Sequence, residues 1–250
     1  MPANKNLLLL IIIFSQFAGT SVWFAGNAII DQISSFADHA TITSIVQFGF
    51  IAGTLIFSFL TIADRFNSSI VFFVSCCLAA TANLVLIWWG ENEVHLSILR
   101  FVTGFFLAGI YPVGMKIAAD IFPEKLGKAL GFLVGALVLG TAFPHFVRSQ
   151  LEGINWKLVL IATSALAFTG GVLILTQIPQ KRKATVLAKP DLLAAFRVFK
   201  SKPFRSAAFG YFGHMWELYA FWSVLPIVFA YHNTMKNEEH NIYFWSFLIM

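Results

Sequence analysis

Apolar segments of membrane-crossing length recur along this chain and constrain what it can fold into. A helix needs about 20 mostly apolar residues to cross the hydrocarbon core of a bilayer. Seven segments reach that length, at 7–30, 42–62, 70–89, 96–119, 127–148, 156–178 and 206–229. A short apolar run at 241–250 predicts the beginning of an eighth span, so we interpret the chain as a fragment or a truncated product. The pattern predicts an all-α membrane protein.

The composition agrees with this interpretation. Hydrophobic residues make up 58% of the chain and charged residues 12%, whereas soluble domains have about 45–50% and about 25%. The net charge of +5 does not indicate nucleic-acid binding, because the positive residues fall mostly between the spans on one side. Cys76 and Cys77 are adjacent in an apolar run, which suits neither a disulfide nor a metal site. We expect no cofactor and no metal.

The distribution of lysine and arginine predicts the orientation of the chain in the membrane. With the N-terminus inside, thirteen of these residues lie on the inner side and four on the outer side. Cytoplasmic loops carry such an excess, so we expect an integral protein of the plasma (inner) membrane with a cytoplasmic N-terminus. The first apolar stretch exceeds the roughly 7–15 residues of a signal-peptide core, so we interpret it as a retained span.

A long basic loop divides the predicted spans. Residues 179–205 carry eight of the positive side chains and follow the sixth span. We therefore predict a six-helix N-terminal half at 1–178, a basic cytoplasmic loop at 179–205 and the start of a second, truncated half at 206–250.

The segment from Leu96 to Phe122 is a membrane-length apolar helix with an arginine, Arg100, inside it. A guanidinium in hydrocarbon costs about 2.5–3.5 kcal/mol or more, so it usually faces a bundle interior, a cavity or a partner. The helical period predicts one polar, small-residued face, formed by Arg100, Thr103, Gly104, Leu107, Tyr111 and Gly114. Arg100 and Tyr111 are thus candidates for substrate binding, although Arg100 could instead snorkel to the interface.

The first span carries a polar stripe at helical spacing, formed by Gln16, Thr20, Trp23 and Asn27. Such a stripe should face other helices or water rather than lipid. We take Gln16, Thr20 and Asn27 as candidate substrate-binding residues, while interhelical hydrogen bonding would explain the stripe about as well.

The fifth span combines small residues with basic ones. Its beginning has a ridge that favours close packing of two helices, formed by Gly127, Gly131 and Gly135. Further along, Pro144 should kink or end the regular helix. His145 is expected to point inward near the level of Arg100, and the two residues with Arg148 form an outer cluster that hints at an anionic solute.

The seventh span carries Glu217 close to its middle, with His214 one turn away and Tyr211 and Trp222 nearby. A carboxylate at that depth is a candidate functional group, most often one that binds protons. Burial would favour its neutral form, and His214 could exchange protons with it. The alternative is a protonated Glu217 that is hydrogen-bonded to a neighbouring helix.

Six spans, a basic loop and further spans resemble the six-plus-six plan of the major facilitator superfamily. Between its second and third spans that family carries Gly-x-x-x-Asp-Arg-x-Gly followed by two basic residues, and this chain has LTIADRFNSS. Asp64 and Arg65 match, Leu60 replaces the first glycine, and serines replace the basic pair. Asn67 replaces the second glycine, and asparagine tolerates the left-handed turn expected there.

A second motif lies in the fourth span, where the family often has Arg-x-x-Gln-Gly. Arg100 and Gly104 match, and Thr103 replaces the glutamine. The antiporter motif Gly-Pro-x-x-Gly-Gly is absent in clean form.

The resemblance implies a helical bundle of the superfamily type and a secondary transporter that moves a small polar solute by alternating access. The first, fourth and seventh spans would line the path, Asp64 and Arg65 would belong to a gating loop, and Glu217 with His214 would couple transport to protons. The expected partners are the solute, H⁺ and the lipid bilayer, with no nucleic acid; the oligomeric state is left open.

Two other functions fit parts of the sequence. A membrane-embedded enzyme would need a nucleophile–base pair or a metal cluster, but the chain has neither His-Glu-x-x-His nor Gly-x-Ser-x-Gly. His214 and Glu217 alone are too few ligands for a closed metal site, so we expect no enzyme. The other alternative is a non-transporting fragment of a transporter.

Overall fold

The computed structural model describes residues 5–33, 39–150, 155–178, 197–236 and 240–250. These residues form helices and short connections, with no strand among them, which confirms the all-α prediction. Most of the predicted basic loop, residues 179–196, lies outside the described residues.

The helices follow the predicted spans in order. They are Lys5–Thr20, Asn27–Ile29 and Ile30–Ile33 in the first span; His39–Phe59 in the second; the connecting Ile62–Arg65; Ser68–Trp89 in the third; Glu93–Leu107 and Tyr111–Ile121 in the fourth; Pro123–Lys125 and Leu126–Gln150 in the fifth; Lys157–Gln177 in the sixth; Lys202–Lys236 in the seventh; and Ile242–Ile249 in the eighth. By length and composition the second to sixth spans could each cross a membrane. The end of the bundle that holds Lys5 is called the inner end below, following the predicted orientation, and the opposite end the outer end.

The first span is broken, so the expectation of one helix over 7–30 is wrong. Its long helix ends at Thr20, and turns lead to the short helices that begin at Asn27. The Thr20 and Ser21 hydroxyls donate to carbonyls of the preceding turn, 2.9 Å to Gln16 O and 2.7 Å to Ala18 O, a local bond that competes with helix continuation. Residues 21–30 are all buried, and irregular backbone is tolerated at membrane depth only when protein covers it.

The fourth span is also interrupted, although we predicted one helix. Its first part ends at Leu107 and its second part begins at Tyr111. Pro112 stands in the first turn of the second part, where its missing N–H costs nothing; further inside a helix its ring would clash with the carbonyl four residues earlier. The proline thus explains why the helix restarts here.

The second and fourth spans pack backbone against backbone. A Cβ atom at Gly104 would lie 2.0 Å from Val46 O, and one at Gly49 would lie 2.1 Å from Phe101 O. Small residues permit this approach between membrane helices. The close packing that we predicted at the start of the fifth span is absent from the described residues, since no described atom lies within 4 Å of a Cβ at Gly127, Gly131 or Gly135.

The fifth span runs from Leu126 to Gln150 as one helix with Pro144 inside it, so of the two expected effects of Pro144, a kink or an end, the end is wrong. The span packs against the first span at Gly140, where a Cβ would lie 2.1 Å from Thr20 Oγ1. Its outer end therefore remains helical as far as Arg148 and presents both His145 and Arg148 on regular backbone.

Candidate functional site

The predicted gating loop contacts the fourth span. Lys116 Nζ donates to Asp64 Oδ1 over 2.6 Å, and this pair ties the loop between the second and third spans to the inner end of the fourth. Arg65 is exposed. Lys116 was not among our candidates, because nothing in the sequence pairs a loop carboxylate with a residue 52 positions away.

The left-handed turn expected at Asn67 is wrong. Asn67 has φ −63° and ψ 122° and caps the third span, with its side chain accepting from Ser69 N over 2.8 Å. The left-handed residue is Thr61, with φ 48°. Asparagine is among the preferred N-cap residues, so its side-chain acceptor explains its presence better than its backbone tolerance does.

Arg100 fills the break in the first span. Its side chain is fully buried, and its guanidinium donates to Val22 O over 3.3 Å and to Trp23 O. A Cβ at Gly26 would lie only 2.7 Å from Arg100 Nε, so the break and the guanidinium fit closely. Broken helix ends leave carbonyls without intrahelical donors, and Arg100 supplies these donors. The interface-snorkelling alternative is therefore wrong.

The polar stripe of the first span is buried, as predicted. Both amide atoms of Gln16 are buried and have no hydrogen-bond partner within the described ranges, and the side chain abuts Gly114 of the fourth span. Thr20, in contrast, is satisfied by its own helix. Asn27 Nδ2 donates to His39 O over 3.1 Å and to Thr43 Oγ1 over 2.8 Å, so interhelical hydrogen bonding accounts for its donor group.

The fourth-span tyrosine is less enclosed than the arginine. Tyr111 is half-buried, whereas Arg100 is fully buried.

The seventh span contacts the polar stripe of the first span through aromatic rings. The Tyr219 ring stacks on Trp23 at 5.8 Å between centroids. Trp23 Nε1 is buried and lacks a hydrogen-bond partner in the part of the chain that the structure describes.

Two basic residues of the fifth span lie buried at the outer end. His145 is fully buried, and neither ring nitrogen has a partner among the described residues. Arg148 is 5% exposed, and its Nε and one terminal nitrogen are likewise unpartnered there. Arg100 donates its hydrogen bonds to the first span and makes none to His145 or Arg148. The three residues of the predicted cluster therefore differ. Arg100 has hydrogen-bond partners in the first span, whereas His145 and Arg148 have buried nitrogens without a partner among the described residues.

Tyr243, the second residue of the eighth span's helix, covers this pair. Its ring stacks on His145 at 6.2 Å with 19° between the planes, and the Arg148 guanidinium lies 5.3 Å from its centroid. Its hydroxyl donates to Asp31 Oδ2 over 3.1 Å, and His39 Nε2 lies 3.2 Å from Asp31 Oδ1. The pKa of Asp31 is lowered below its ordinary value of 3.8, first by the hydrogen bond from His39, and despite partial burial.

The predicted proton-coupling residues lie apart from these groups. Glu217 and His214 are both exposed, and neither has a hydrogen-bond or ion-pair partner among the described residues. The described residues therefore supply neither the burial that we expected for Glu217 nor the hydrogen bond to a neighbouring helix that was the alternative. Trp222, one of its predicted neighbours, is buried against Phe24 of the first span.

A cavity of about 760 Å³ opens at the inner end, between the first span and the loops that precede the third and fifth spans. The Asp64–Lys116 pair lines it, together with four further cationic side chains, Lys5, Arg65, Lys125 and Lys128. At the outer and inner ends alike, the described residues contain no group of three or more His, Cys, Asp or Glu side chains placed to hold a metal ion.

The comparison with known families decides the assignment of the chain. The sequence profile of the Major Facilitator Superfamily matches residues 8–249. The chain belongs to the Major Facilitator Superfamily. It is also 26% identical over 117 residues to an uncharacterized transporter of Buchnera aphidicola subsp. Baizongia pistaciae (strain Bp). That stretch covers 46% of this chain and 28% of the relative, so the match spans less than a third of the relative's length.

Sequence reasoning missed three residues that organise the outer end of this superfamily member. Asp31, His39 and Tyr243 were not among the candidates that the sequence suggested. A histidine directly before the second span and a tyrosine near the start of a short apolar run are ordinary in isolation. Their relation to His145 and Arg148 arises only when four different spans meet.

Proposed function

We propose that this superfamily member is a secondary active transporter that moves a small polar, anionic solute across the membrane by alternating access and couples this movement to protons. The observation that carries the proposal is the buried pair His145 and Arg148 with unpartnered nitrogens. Buried polar groups normally have hydrogen-bond partners, and leaving one unpaired costs about 1–3 kcal/mol. A solute that accepts hydrogen bonds would satisfy both residues, and a carboxylate does so best beside a guanidinium.

The first span supports the same location for the path. The unpartnered amide of Gln16 and the indole N–H of Trp23 are buried on the span that packs against the fourth, fifth and seventh spans. In this proposal Gln16, His145 and Arg148 contact the solute. Thr20, Asn27, Tyr111 and the unpartnered Nε of Arg100 line the path beside them.

The remaining parts of the proposal concern coupling and arrangement. Glu217 and His214 bind and release protons, on a span that also contacts the stripe through Tyr219. Residues 1–178 form the first half of the transporter and residues from 206 onward begin the second, with the N-terminus in the cytoplasm and the protein in the inner membrane. The relative's description as a transporter and the superfamily match favour this function over the membrane-embedded enzyme.

Uptake into proteoliposomes tests the proposal. We expect uptake of radiolabelled small carboxylates driven by an imposed pH gradient, with Arg148→Gln and His145→Ala each lowering the initial rate at least tenfold. Arg205→Gln is the matched control, because Arg205 is an exposed arginine whose removal should leave the rate unchanged. Carboxylate uptake that is the same in wild type and Arg148→Gln would refute the anionic-solute assignment.

A further inference from the structure

The eighth span is held against the outer end of the fifth by contacts on both sides of Tyr243. Asn241 Nδ2 donates to Ser149 O over 3.1 Å, and the Phe247 ring lies 5.0 Å from that of Phe146. Asn241 also caps the eighth span's helix by accepting from Phe244 N over 2.9 Å. These contacts fix where the first turn of the helix lies, and with it the position of the Tyr243 ring.

From that position one side chain engages three ionisable groups at once. The ring covers His145 and Arg148, whose buried nitrogens are otherwise unpartnered among the described residues, and the hydroxyl bonds to Asp31. A guanidinium close to an aromatic face is attracted by the ring. A carboxylate forms a stronger interaction through two hydrogen bonds with the in-plane N–H edge of a guanidinium, so an anion that reaches Arg148 gains more than the loss of the ring contact costs.

The hydroxyl contact joins the two predicted halves of the chain. Asp31 belongs to the short helix that follows the break in the first span, whereas Tyr243 belongs to the eighth span. Asp31 is more than half exposed and is oriented by His39, whose side chain is 8% exposed. The charged or titratable groups that face Asp31 are thus His39, Tyr243 and, through charge, Arg148.

We propose that Tyr243, clasped by Asp31, is the outer lid of the anion site formed by His145 and Arg148. This inference rests on the function proposed above. While the hydrogen bond between Asp31 and Tyr243 holds, the ring stays against His145 and Arg148 and covers the outer approach to their N–H groups. Entry from outside requires this hydrogen bond to break and the ring to leave, so Asp31 and Tyr243 act as positioning residues that set the accessibility of the site.

Accessibility to a water-soluble thiol reagent tests the lid without any transport measurement. Ser149→Cys is introduced into a background with Cys76→Ala and Cys77→Ala, in the full chain reconstituted into nanodiscs. Ser149 is buried beside Asn241 and is not one of the proposed binding residues. We expect Tyr243→Phe, which keeps the ring and removes the hydroxyl, and Asp31→Ala, which removes the acceptor, each to raise the labelling rate about two- to thirteenfold, the factor that corresponds to the loss of one hydrogen bond of about 0.5–1.5 kcal/mol.

The double variant decides whether the two residues act through their shared bond. With both substitutions the rate should not exceed that of the faster single variant, since the second change removes nothing further. Tyr231→Phe, at an exposed tyrosine of the seventh span, should label like the parent. Unchanged labelling in both single variants, or rates that multiply in the double variant, would overturn the lid. Parent-like monodispersity shows that each variant is folded, and Tyr243→Leu, which also removes the ring, must label at least as fast as Tyr243→Phe.

The outcome is separable from that of the uptake experiment. If no carboxylate is transported but labelling follows the expected pattern, the proposed solute class is wrong, while the Asp31–Tyr243 hydrogen bond is shown to close the outer end of the bundle. If carboxylates are transported and labelling is unchanged, the solute class stands and the lid is refuted.

Discussion

Arg100 of the fourth span donates a hydrogen bond to the backbone carbonyl of Trp23 inside the break of the first span. A second bond runs to Val22 O, so one buried cation serves two carbonyls that the interrupted helix leaves without donors. The residue that looked most like a solute ligand in the sequence thus maintains the shape of the broken first span. Because the proposed path runs beside Arg100, the stability of its variants must be measured alongside transport.

Arg100→Leu should destabilise the protein strongly. The substitution leaves both carbonyls unpaired in a buried site, and hydrogen bonds to a charged group are worth about 1.5–3 kcal/mol each. We expect a clear fall in Tm in detergent, with Arg100→Lys intermediate because lysine lacks the planar fork of donors. Arg205→Leu, at an exposed arginine, is the control and should leave Tm within error. A Tm for Arg100→Leu equal to that of the control would contradict the structural role.

Gly104→Ala should destabilise the contact between the second and fourth spans. The added Cβ would lie 2.0 Å from Val46 O, a backbone atom that cannot rotate away, so the helices must separate. Such overpacking typically costs about 1–3 kcal/mol. Gly131→Ala is a matched control, because no described atom lies within 4 Å of its Cβ and alanine favours a helix by about 1 kcal/mol. Thermal unfolding should therefore shift in opposite directions for the two variants.

The Asp64–Lys116 pair should matter more for transport than for stability. Both side chains are partly exposed, and such pairs contribute about 0.2–1 kcal/mol. We expect Asp64→Asn and Lys116→Gln to lower the uptake rate severalfold with little change in Tm. The charge-reversed double variant Asp64→Lys/Lys116→Asp should recover part of the rate. No recovery, with both proteins folded, would argue that the ion pair is incidental to gating.

Glu217→Gln should separate proton coupling from solute movement. If Glu217 carries the coupled proton, the variant loses uptake driven by a pH gradient but retains exchange of labelled for unlabelled solute. Glu91→Gln is the control, because Glu91 is an exposed carboxylate in the turn before the fourth span and does not line the inner cavity. Retention of pH-driven uptake in Glu217→Gln would remove this residue from the coupling mechanism.

Acid should weaken the contact between Asp31 and Tyr243 only at low pH. The pKa of Asp31 lies below its ordinary value of 3.8, chiefly because His39 hydrogen-bonds to the carboxylate. The closed arrangement therefore favours the ionised form of Asp31. The stabilisation is complete above the ordinary pKa and is lost as the pH falls through the lowered one. We expect the distance between spin labels at two exposed positions, Gln32 beside Asp31 and Leu248 on the helix of Tyr243, to stay constant from pH 8 to 5 and to lengthen only below about pH 4.

Asp31→Asn should remove this dependence on acid, because an amide does not titrate. A lengthening already between pH 7 and 5 would contradict the assignment to Asp31, since histidines ordinarily change charge in that interval.

The membrane class, the order of the spans and the superfamily could be predicted from the sequence. The first two properties follow from local composition and spacing, since about 20 apolar residues suffice for a span wherever its neighbours lie. The superfamily was predicted from a resemblance, carried by the plan of the spans and the motifs at Asp64 and Arg100. The burial of the stripe at Gln16 and the inward position of His145 were predicted for the same reason, as helical period alone sets a face. The breaks in two spans were not predicted. One depends on hydroxyl groups at Thr20 and Ser21 and on donors from Arg100, 77 residues away from Trp23.

Only the tertiary structure decided which polar groups meet. Apolar periodicity orients a helix face but does not say which residue of another span lies opposite, because that depends on the register and crossing of two helices. Thus Arg100 could be assigned to the protein interior from its cost in hydrocarbon, yet its bonds to the broken first span required the fold. In the same way His145 and Arg148 could be chosen from the sequence, whereas Asp31, His39 and Tyr243 are unremarkable along the chain. These three residues join the pair because four spans bring them together at the outer end.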